Sequence, residues 1–381
     1  MTAPLSFLIC PLDWGLGHAA RCVPLIRSLL NRSHRVVIAA DRRPLAFLQS
    51  EFPDLETIRL PGVNVTYPGS GWMTLKLLMQ APNLLLGVRR ECRLLERLVR
   101  RHKFDVVISD NRFGLFTRRA RCVYVTHQLW IPCPPRLKWL EPLLHQAHRR
   151  ILARYDECWI PDFPGGRNLS GELSHRAGLP ANARFIGPLS RFRLSSASEA
   201  GAGCDLLAIL SGPEPQRTIF QKMIREQAGT VTGRVLIVEG KPDDAAGRRR
   251  LGNLEIVPHL PTAELQRELT AARAILSRPG YSTLMDLAAL GRNAILVPTP
   301  GQTEQEYLAR RATGLGWCHS QAQKGFNLEA ALAGLEKLSA PPRLPDGADL
   351  LQERLTALER SLTPKPTANR PSAVTGQTRV P

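Results

Sequence analysis

The chain has 381 residues, of which 43% are apolar, and it carries a formal net charge of +18. This length and apolar content suffice for two hydrophobic cores, so we expect two domains. The excess of arginine and lysine favours anionic partners, namely nucleotide phosphates, acidic lipid head groups or nucleic acid. The eight cysteines show no C-x-x-C pair or metal-ligand spacing, which argues against a disulfide framework and predicts reduced, mostly buried thiols in a cytosolic protein.

The N-terminal segment leads directly into a predicted strand, Ser6 to Cys10, and lacks the basic segment, apolar core and cleavage site of a secretion signal. The most apolar later segment, Trp72 to Val88, is interrupted by polar residues and a proline. A helix that spans a bilayer needs about 20 consecutive apolar residues. We therefore expect neither secretion nor a membrane-spanning helix.

Short apolar strands alternate with amphipathic helices along the first half of the chain. Helices such as Ala19 to Asn31 and Arg89 to His102 lie between the strands. This alternation is typical of a parallel, doubly wound α/β sheet. The predicted strands are Ser6 to Cys10, Arg35 to Ala40, Asp105 to Ser109, Cys122 to Thr126 and Glu157 to Ile160.

The same alternation starts again after a segment rich in serine, alanine and glycine, Leu189 to Gly203. We therefore predict two similar α/β domains, at residues 1–190 and 205–345, joined by a linker at 191–204. A C-terminal helix is predicted at 346–360, and the polar tail at 361–381 is predicted to be disordered. The strands predicted in the second domain are Asp205 to Leu210, Val235 to Glu239, Glu255 to Val257, Ala274 to Leu276 and Ala294 to Val297.

The most informative segment of the second domain is a turn that opens a helix at residues 279–283. In a parallel sheet, ligands lie beyond the carboxyl ends of the strands, where helix N-termini offer unpaired N–H groups to phosphates. Gly280, Ser282 and Thr283 lie at such a helix start, and Asp286 follows one turn after Ser282, within reach of ribose hydroxyls. These residues predict a nucleotide site, with an ordinary helix N-cap as the alternative.

The first strand is followed by a second candidate site. Gly15 and Gly17 permit a tight turn and close approach of a ligand, and His18 begins the following helix. The helix dipole should lower the pKa of His18, which would leave a neutral imidazole able to accept a proton. We take His18 as the first candidate for a general base, with a structural histidine as the alternative.

Further polar residues follow the strands of the first domain. Asp13 lies in the first turn and is the second candidate base, and His127 is the third. Asp110 and Asn111 follow another strand, and Gln128 follows His127, so all three are candidates for positioning an acceptor. Each of them could instead be a cap or turn residue.

These segments together resemble the GT-B glycosyltransferases, and in particular glycosyltransferase family 28, typified by the enzyme that adds N-acetylglucosamine to lipid-linked muropeptide. The resemblance rests on Gly15 to His18, Ser211 to Gln216 and Ser277 to Gln305, and it is closer in the second domain. It implies two Rossmann-like domains that face each other across a cleft. The first would bind the acceptor, and the second would bind a nucleotide-diphosphate sugar, with uridine as the expected base.

The resemblance also implies roles for individual residues. Gly280, Ser282 and Thr283 match the turn that holds the diphosphate, and Asp286 stands where the family has a glutamate on the ribose. The resemblance implies further donor contacts at Ser211, Gly212 and Gln216, in the loop that opens the second domain, and at Arg278, before the phosphate turn. It places His259 and Leu260 at the base, and Gln302, Glu304 and Gln305 at the sugar hydroxyls. Arg191 would be an interdomain arginine near the diphosphate.

The expected chemistry requires neither a metal nor a cofactor. A helix N-terminus with serine, threonine and arginine donors can stabilise a leaving diphosphate. No Asp-x-Asp motif follows a predicted strand to hold a divalent ion. We therefore expect a metal-independent hexosyltransferase, and the resemblance implies inversion at the sugar carbon.

The acceptor is less well defined than the donor. Asp13 and Trp14 stand where the peptidoglycan enzyme is glycine-rich, so a muropeptide acceptor is not expected. Apolar residues from Trp72 to Leu86 precede seven basic residues between Arg89 and Lys103, a pairing suited to an anionic membrane surface. This interpretation predicts a lipid-linked acceptor and a cytoplasmic protein at the inner face of the membrane. The alternative is a core helix followed by a solvated basic helix.

Two other functions stay open at the level of sequence. A non-hydrolysing nucleotide-sugar 2-epimerase would share the fold but would need acid–base carboxylates across the cleft, which the sequence does not identify. A non-catalytic nucleic-acid-binding protein is suggested by charge alone, and the chain lacks a basic motif with interleaved aromatic residues. The sequence therefore favours the glycosyltransferase and predicts no nucleic-acid partner.

Overall fold

The computed structural model describes residues 3–62, 73–193, 203–341, 344 and 347–362, and within the long helix that begins at Met73 it describes side chains from residue 86 onward. The linker residues 194–202 and the tail residues 363–381 therefore lie outside the described residues, as do the side chains of the apolar segment from Trp72 to Leu85.

The first domain is a parallel sheet of seven strands in the order β3-β2-β1-β4-β5-β6-β7. Strands such as β2 and β4 are continuous apolar runs because helices cover both faces of the sheet. The strands are β1 (Ser6–Pro11), β2 (Arg35–Ala40), β3 (Thr57–Arg59), β4 (Val106–Asp110), β5 (Arg121–Val125), β6 (Glu157–Ile160) and β7 (Ala183–Phe185). The helices are α1 (Leu16–Asn31), α2 (Arg42–Glu51), α3 (Met73–His102), α4 (Glu141–Leu152) and α5 (Glu172–His175).

The second domain contains another seven-stranded sheet, in the order β10-β11-β9-β8-β12-β13-β14, with β10 antiparallel to its neighbour. The strands are β8 (Leu206–Ile209), β9 (Val235–Val238), β10 (Arg249–Leu251), β11 (Leu254–Val257), β12 (Ala274–Ser277), β13 (Ala294–Leu296) and β14 (Cys318–Ser320). The helices are α6 (Gln216–Gln227), α7 (Thr262–Ala271), α8 (Tyr281–Leu290), α9 (Thr303–Gly314), α10 (Leu328–Glu336) and α11 (Ala348–Leu362). The predicted doubly wound fold is confirmed.

Each sheet has a point at which the strand order reverses direction. In the first sheet this point lies between β1 and β4, and in the second between β8 and β12. Loops that leave neighbouring strands in opposite directions at such a point open a crevice, which is where ligands bind in open α/β sheets. The chain therefore has two crevices, one formed by the loops after β1 and β4 and the other by the loops after β8 and β12.

Two helices differ from the sequence prediction. The helix predicted from Arg89 is the second half of α3, which begins at Met73. The C-terminal helix α11 follows the second domain in sequence but packs against the first, where Leu355 and Leu358 are fully buried. Arg32, directly after α1, donates to Gln352 and Glu359 of α11. Helix α11 therefore ties the two domains together. Among the described residues, no helix has the length and apolar character to cross a bilayer.

Candidate active site at the domain interface

The loops after β1 and β4 bring His18 and Asp110 into direct contact. These strands are adjacent, with Pro11 opposite Asp110, so residues 92 positions apart in sequence meet at one sheet edge. His18 Nδ1 lies 2.7 Å from Asp110 Oδ1. The Asp110 carboxylate is 1% exposed, whereas the His18 side chain is 20% exposed. Asp110, which we expected to position an acceptor, instead orients His18.

Arg21 is the second partner of Asp110. It lies one helical turn after His18 on α1, and its guanidinium donates to both carboxylate oxygens of Asp110. Burial alone would raise the pKa of Asp110, but the charges of Arg21 and His18 outweigh burial and hold this pKa at about 2. Asp110 is therefore ionised at neutral pH.

The pKa of His18 is lowered, as expected, although the causes differ from the expected helix dipole. The main causes are burial and the charge of Arg21, which together outweigh the opposing effect of Asp110. The imidazole is consequently neutral at neutral pH. With Nδ1 held by Asp110, its other nitrogen, Nε2, is the atom available to accept a proton.

His127, the third candidate base, uses both ring nitrogens in other contacts. Its Nδ1 lies 3.0 Å from Arg21 Nη1, and its Nε2 lies 2.8 Å from Glu304 Oε1 in the second domain. The ring of Tyr281 stacks on the imidazole at a centroid distance of 4.1 Å. His127 therefore connects the two domains and has no nitrogen left to accept a proton from a substrate.

Asp13, the second candidate base, lines a cavity of about 370 Å³ between the two domains. Gly15 lies on the same wall of the cavity, and Ser211 and Gly212 face them from the second domain. The volume is within the range of small-molecule sites. Burial raises the pKa of Asp13, and its Oδ1 has no hydrogen-bond partner within the described residues. The structure thus places four predicted site residues around one interdomain cavity.

Helix α8 begins where the sequence predicted a phosphate site. Gly280 is its N-cap residue, and no side chain caps the helix start. The first-turn N–H groups of α8 therefore receive no hydrogen bond from a capping side chain. Ser282 Oγ instead donates to the carbonyl oxygen of Gly17 at 2.8 Å, so the phosphate turn of the second domain touches the glycine turn of the first. A Cβ atom at Gly17 would lie 3.1 Å from Ser282 Oγ, which explains the need for glycine at this approach.

Several predicted donor contacts lie elsewhere in the second domain. Arg278 is 1% exposed, donates to the carbonyl oxygens of Val297 and Gln216, and packs on the Phe220 ring at 4.1 Å. Gln216 is also buried, as is Leu260. The described contacts of Arg278 therefore link strands and helices within the domain and do not face the cleft.

The residues predicted at the sugar hydroxyls divide into two groups. Gln302 caps α9 by accepting from the backbone N–H of Gln305, and Gln305 Oε1 accepts from the backbone N–H of Thr299 at 2.8 Å. Only Glu304 extends across the cleft, to His127. Burial would raise the pKa of Glu304, but His127 outweighs it, and the pKa is lowered. Glu304 is thus a carboxylate that a sugar hydroxyl or His127 can engage.

Arg191 and His259 lie together beside the first domain. Phe47 of α2 packs against both, with the Arg191 guanidinium 5.1 Å from the Phe47 ring and the His259 ring 5.6 Å away. Burial lowers the pKa of Arg191 and brings that of His259 to about 4, so His259 is neutral at physiological pH. The cluster therefore combines two flat aromatic rings with the positive charge of the Arg191 guanidinium.

The remaining first-domain candidates contribute less. Asn111 adopts a positive φ of 56° and accepts a hydrogen bond from the Tyr124 hydroxyl at 3.3 Å. The backbone N–H of Gln128 donates to Thr126 Oγ1. Both residues thus have the turn roles that we kept open for them. Sequence reasoning missed Arg21, although its i+3 spacing from His18 places both on one face of α1 and could have indicated it.

Asp286 is half-buried at the segment that connects the domains, where its Oδ1 accepts from Ser190 Oγ at 2.7 Å. Burial raises the pKa of Asp286 to about 6, against the opposing charge of Arg191. Because this pKa exceeds the unfolded value of about 3.9, the associated stability is fully present below pH 4 and is lost as the pH rises through 6.

We therefore expect Asp286→Asn to melt at a higher temperature than the unmodified chain at pH 7.5, with the difference shrinking towards pH 4.5. The difference at pH 7.5 should be on the order of 1 kcal/mol, or about 2–4 °C. Thermal melting followed by circular dichroism at both pH values measures it. The exposed Asp349→Asn substitution is the matched control and should show no such trend. Equal pH dependence in Asp286→Asn and the unmodified chain would contradict the raised pKa.

Family models match both halves of the chain. Residues 207–343 match the glycosyltransferase family 28 C-terminal domain, and residues 12–133 match a model described as glycosyl transferase family 1. The family 28 match covers the second domain, and together with the two facing α/β domains it makes the chain similar to the GT-B glycosyltransferases of family 28. The resemblance inferred from the sequence is confirmed.

Curated relatives carry the name UDP-N-acetylglucosamine–N-acetylmuramyl-(pentapeptide) pyrophosphoryl-undecaprenol N-acetylglucosamine transferase. The one from Methylorubrum populi is 34% identical over 116 residues, which are 28% of this chain and 31% of the relative. This match therefore spans about a third of that relative's length. The one from Rhodospirillum centenum is 26% identical over 86% of this chain and 84% of the relative.

Solved structures show the same fold across nearly the whole chain. The glycotransferase of kitacinnamycin superposes with a TM-score of 0.59 and 18% identity, covering 95% of each chain. The glycosyltransferase SnogD from Streptomyces nogalater gives a TM-score of 0.55 and 17% identity, covering 94% of this chain and all of its own. At these identities the comparison establishes the fold alone.

Proposed function

We propose that this protein transfers a sugar from a nucleoside-diphosphate donor to an acceptor hydroxyl. One observation carries the proposal. The His18–Asp110 pair lies at the switch point of the first sheet, and Gly17, directly before His18, contacts the start of α8 at the switch point of the second sheet, where no side chain caps the helix. A base and an anion-binding helix terminus therefore face each other across one cleft. These are the two groups that sugar transfer from a nucleoside diphosphate requires.

The reaction follows from these positions. Asp110 accepts a hydrogen bond from Nδ1–H of His18, so Nε2 takes the proton of the acceptor hydroxyl. The acceptor oxygen then bonds to the anomeric carbon of the donor as the bond from that carbon to the diphosphate oxygen breaks. The electron pair leaves with the nucleoside diphosphate. Attack on the face opposite the leaving group inverts the configuration at the anomeric carbon.

The leaving diphosphate is stabilised by the second domain. The first-turn N–H groups of α8 have no side-chain cap, and the hydroxyls of Ser282 and Thr283 lie in the same turn. When a donor binds, Ser282 exchanges its contact with the Gly17 carbonyl for a phosphate oxygen. Neutral donors and a helix dipole can stabilise a dianionic leaving group, so we propose that transfer requires no metal.

The names of the curated relatives support a UDP-sugar as the donor. The family 28 model matches residues 207–343, the part of the chain that holds the proposed phosphate turn. The same names describe a lipid-linked acceptor, and we propose an acceptor of that general class here. The first turn of this chain, with Asp13 and Trp14, differs from the glycine-rich turn of the peptidoglycan enzyme, which favours a head group other than muropeptide.

A peripheral membrane contact fits this acceptor class. The described part of α3 exposes Arg89, Arg90, Arg93, Arg97, Arg100 and Arg101, whereas Leu95 and Val99 of the same helix are buried. Trp139, just before α4, is 73% exposed, and Leu143 in the first turn of α4 is 61% exposed. Basic residues and exposed apolar side chains together suit the surface of an anionic bilayer.

Vesicle sedimentation tests this contact. The chain should bind phosphatidylglycerol vesicles at low salt, and the double substitution Arg93→Glu with Arg97→Glu should weaken binding by at least about tenfold, since each basic residue near the surface contributes about 1 kcal/mol. The pair Lys222→Glu and Arg225→Glu, on α6 of the second domain, changes net charge equally and serves as the control. Equal loss in both double variants would show a general charge effect, and binding by neither the parent nor the variants would exclude a membrane contact.

The two alternative functions are not favoured. An epimerase would need acid–base carboxylates across the cleft, where Asp110 is paired with Arg21 and Glu304 with His127, and the family model over the second domain is that of a glycosyltransferase. A nucleic-acid partner is supported by charge alone.

A panel of nucleotide-sugars assayed for diphosphate release, with calorimetric titration of UDP, tests the proposal. Micromolar UDP binding and sugar-dependent release support it, and tight salt-dependent binding of DNA without nucleotide binding would overturn it.

A further inference from the structure

Arg21 occupies the centre of a charged cluster that extends across the cleft. It is 1% exposed, and its guanidinium binds both oxygens of Asp110. Its Nη1 lies 3.0 Å from His127 Nδ1, and its Nη2 lies 3.0 Å from His18 Nδ1. One side chain therefore contacts the carboxylate and both histidines of the site. The base mechanism itself requires only His18 and Asp110.

The contact with Arg21 determines which nitrogen of His127 carries the proton. Arginine remains protonated in proteins and can only donate hydrogen bonds, so His127 Nδ1 must accept. The proton of a neutral His127 then lies on Nε2, from which it donates to Glu304 Oε1 at 2.8 Å. The stacked Tyr281 ring, inclined by 3°, holds the imidazole in the required plane.

His18 has the opposite tautomer because its Nδ1 faces Asp110 as well as Arg21. Its Nδ1 faces Asp110 Oδ1 at 2.7 Å and Arg21 Nη2 at 3.0 Å. Arg21 Nη2 already donates to that carboxylate oxygen, and the contact of Nδ1 with Asp110 is shorter than its contact with Arg21. The Nδ1 atom therefore carries the proton and donates it to Asp110. The Nε2 lone pair is then directed away from this cluster. An Nε2–H form of His18 could not act as a base.

We propose that Arg21 is a positioning residue: it fixes the tautomer of His127 by direct contact and that of His18 through Asp110, whose carboxylate it orients, so that His18 presents a basic Nε2 while His127 holds Glu304 of the second domain. This inference rests on the proposed function for its catalytic meaning, although the tautomers can be observed without any substrate. It gives Arg21 a role in the reaction without contact with the reacting atoms. It also connects the base of the first domain to a carboxylate of the second through side-chain contacts alone.

The charged and titratable groups that face His18 define the expected pH behaviour. They are Asp110 at the end of β4, Arg21 on its own helix, His127 from the loop after β5, and Glu304 from the second domain. Arg21 lowers the pKa of His18 and Asp110 raises it. Substituting Arg21 with glutamine removes the first effect and retains the second. The acid limb of kcat should therefore move to higher pH, because His18 must be neutral to accept a proton.

Nitrogen-15 NMR of the ligand-free chain tests the tautomers directly, with His18→Gln and His127→Gln assigning the signals. The unmodified chain should show His18 protonated at Nδ1 and His127 at Nε2. In Arg21→Gln, at least one of the two imidazoles should exchange between tautomers, and kcat at neutral pH should fall about tenfold to hundredfold with little change in the KM of the donor. Arg21→Lys keeps the charge but not the geometry, so it should shift the acid limb less and still perturb the tautomers.

Arg32→Lys is the matched control, since Arg32 directly follows the same helix but contacts only α11 within the described residues. It should leave the imidazole signals and the pH profile unchanged. Native imidazole signals and an unshifted acid limb in a folded Arg21→Gln or Arg21→Lys variant would overturn the inference. Absence of transfer by the unmodified chain would count against the proposed function, and the substrate-free imidazole signals would still decide the role of Arg21.

Discussion

Replacing His18 with alanine should lower kcat for sugar transfer by about 10²–10⁴-fold, the usual contribution of a general base. The variant removes the only imidazole nitrogen of the described cluster that is not already engaged, since His127 is bound at both nitrogens. Donor affinity should change by less than about twofold, because the proposed phosphate contacts come from the second domain. Diphosphate release under saturating donor, together with UDP titration, separates these two effects.

The control for His18→Ala is His319→Ala. His319 is partly buried in β14 and lies beside Gly334 of α10, away from the first turn. This variant should keep its turnover. Retention of more than about a tenth of the activity by His18→Ala would contradict its role as the base and would direct attention to Asp13, which lines the interdomain cavity and whose Oδ1 has no hydrogen-bond partner within the described residues.

The pH profile gives the same assignment a second test. Burial and Arg21 lower the pKa of His18, so the base stays neutral at pH values where an ordinary histidine would be protonated. The activity of the unmodified chain should therefore persist below pH 6.5 before it falls on the acid side. A decline that begins well above pH 7 would be inconsistent with this environment.

The second large effect is expected from Asp110→Asn, which should reduce both turnover and stability. The asparagine amide can donate to His18 Nδ1, which would move the imidazole proton to Nε2 and remove the base; a tautomer change of this kind costs up to about 10⁴-fold in kcat. The neutral side chain also leaves the buried charge of Arg21 without a counterion. Breaking one side of a buried pair typically costs about 3–5 kcal/mol, or a fall in Tm of roughly 6–15 °C here.

The lowered pKa of Asp110 also predicts how the stability of the protein changes at acidic pH. The pKa of Asp110 is held at about 2, below its unfolded value, so its contribution to stability is present above pH 4 and is lost as the pH falls towards 2. Melting temperature should depend less steeply on pH in this window for Asp110→Asn than for the unmodified chain. Asp156→Asn is the control, because the Arg121–Asp156 pair is about one-third exposed on each side and should cost no more than about 1 kcal/mol. Equal losses in the two variants would contradict a special role for the Asp110 cluster.

Local patterns were sufficient to predict much of the fold. The apolar runs at β1, β2, β4 and β6 and the glycine turns before α1 and α8 depend on neighbouring residues alone, and they indicated two α/β domains with a ligand at their sheet edges. The start of α3 was not predicted, because polar residues and a proline interrupt the periodic pattern between Trp72 and Val88. Helix α11 was predicted as a helix, but its packing against the first domain depends on contacts more than 300 residues apart, such as that between Arg32 and Gln352.

The sequence by itself determined the class of the protein and was enough to predict a phosphate turn at Gly280 to Thr283 and His18 as the candidate base, because turn chemistry and residue type are local properties. Only the tertiary structure decided the partners of these residues. Asp110 meets His18 because β1 and β4 are neighbours at the switch point, and Arg21 and Glu304 become partners of the two histidines only when the sheets are assembled and the domains face each other. A linear pattern contains no strand order, so it can name a base but cannot show which carboxylate orients it.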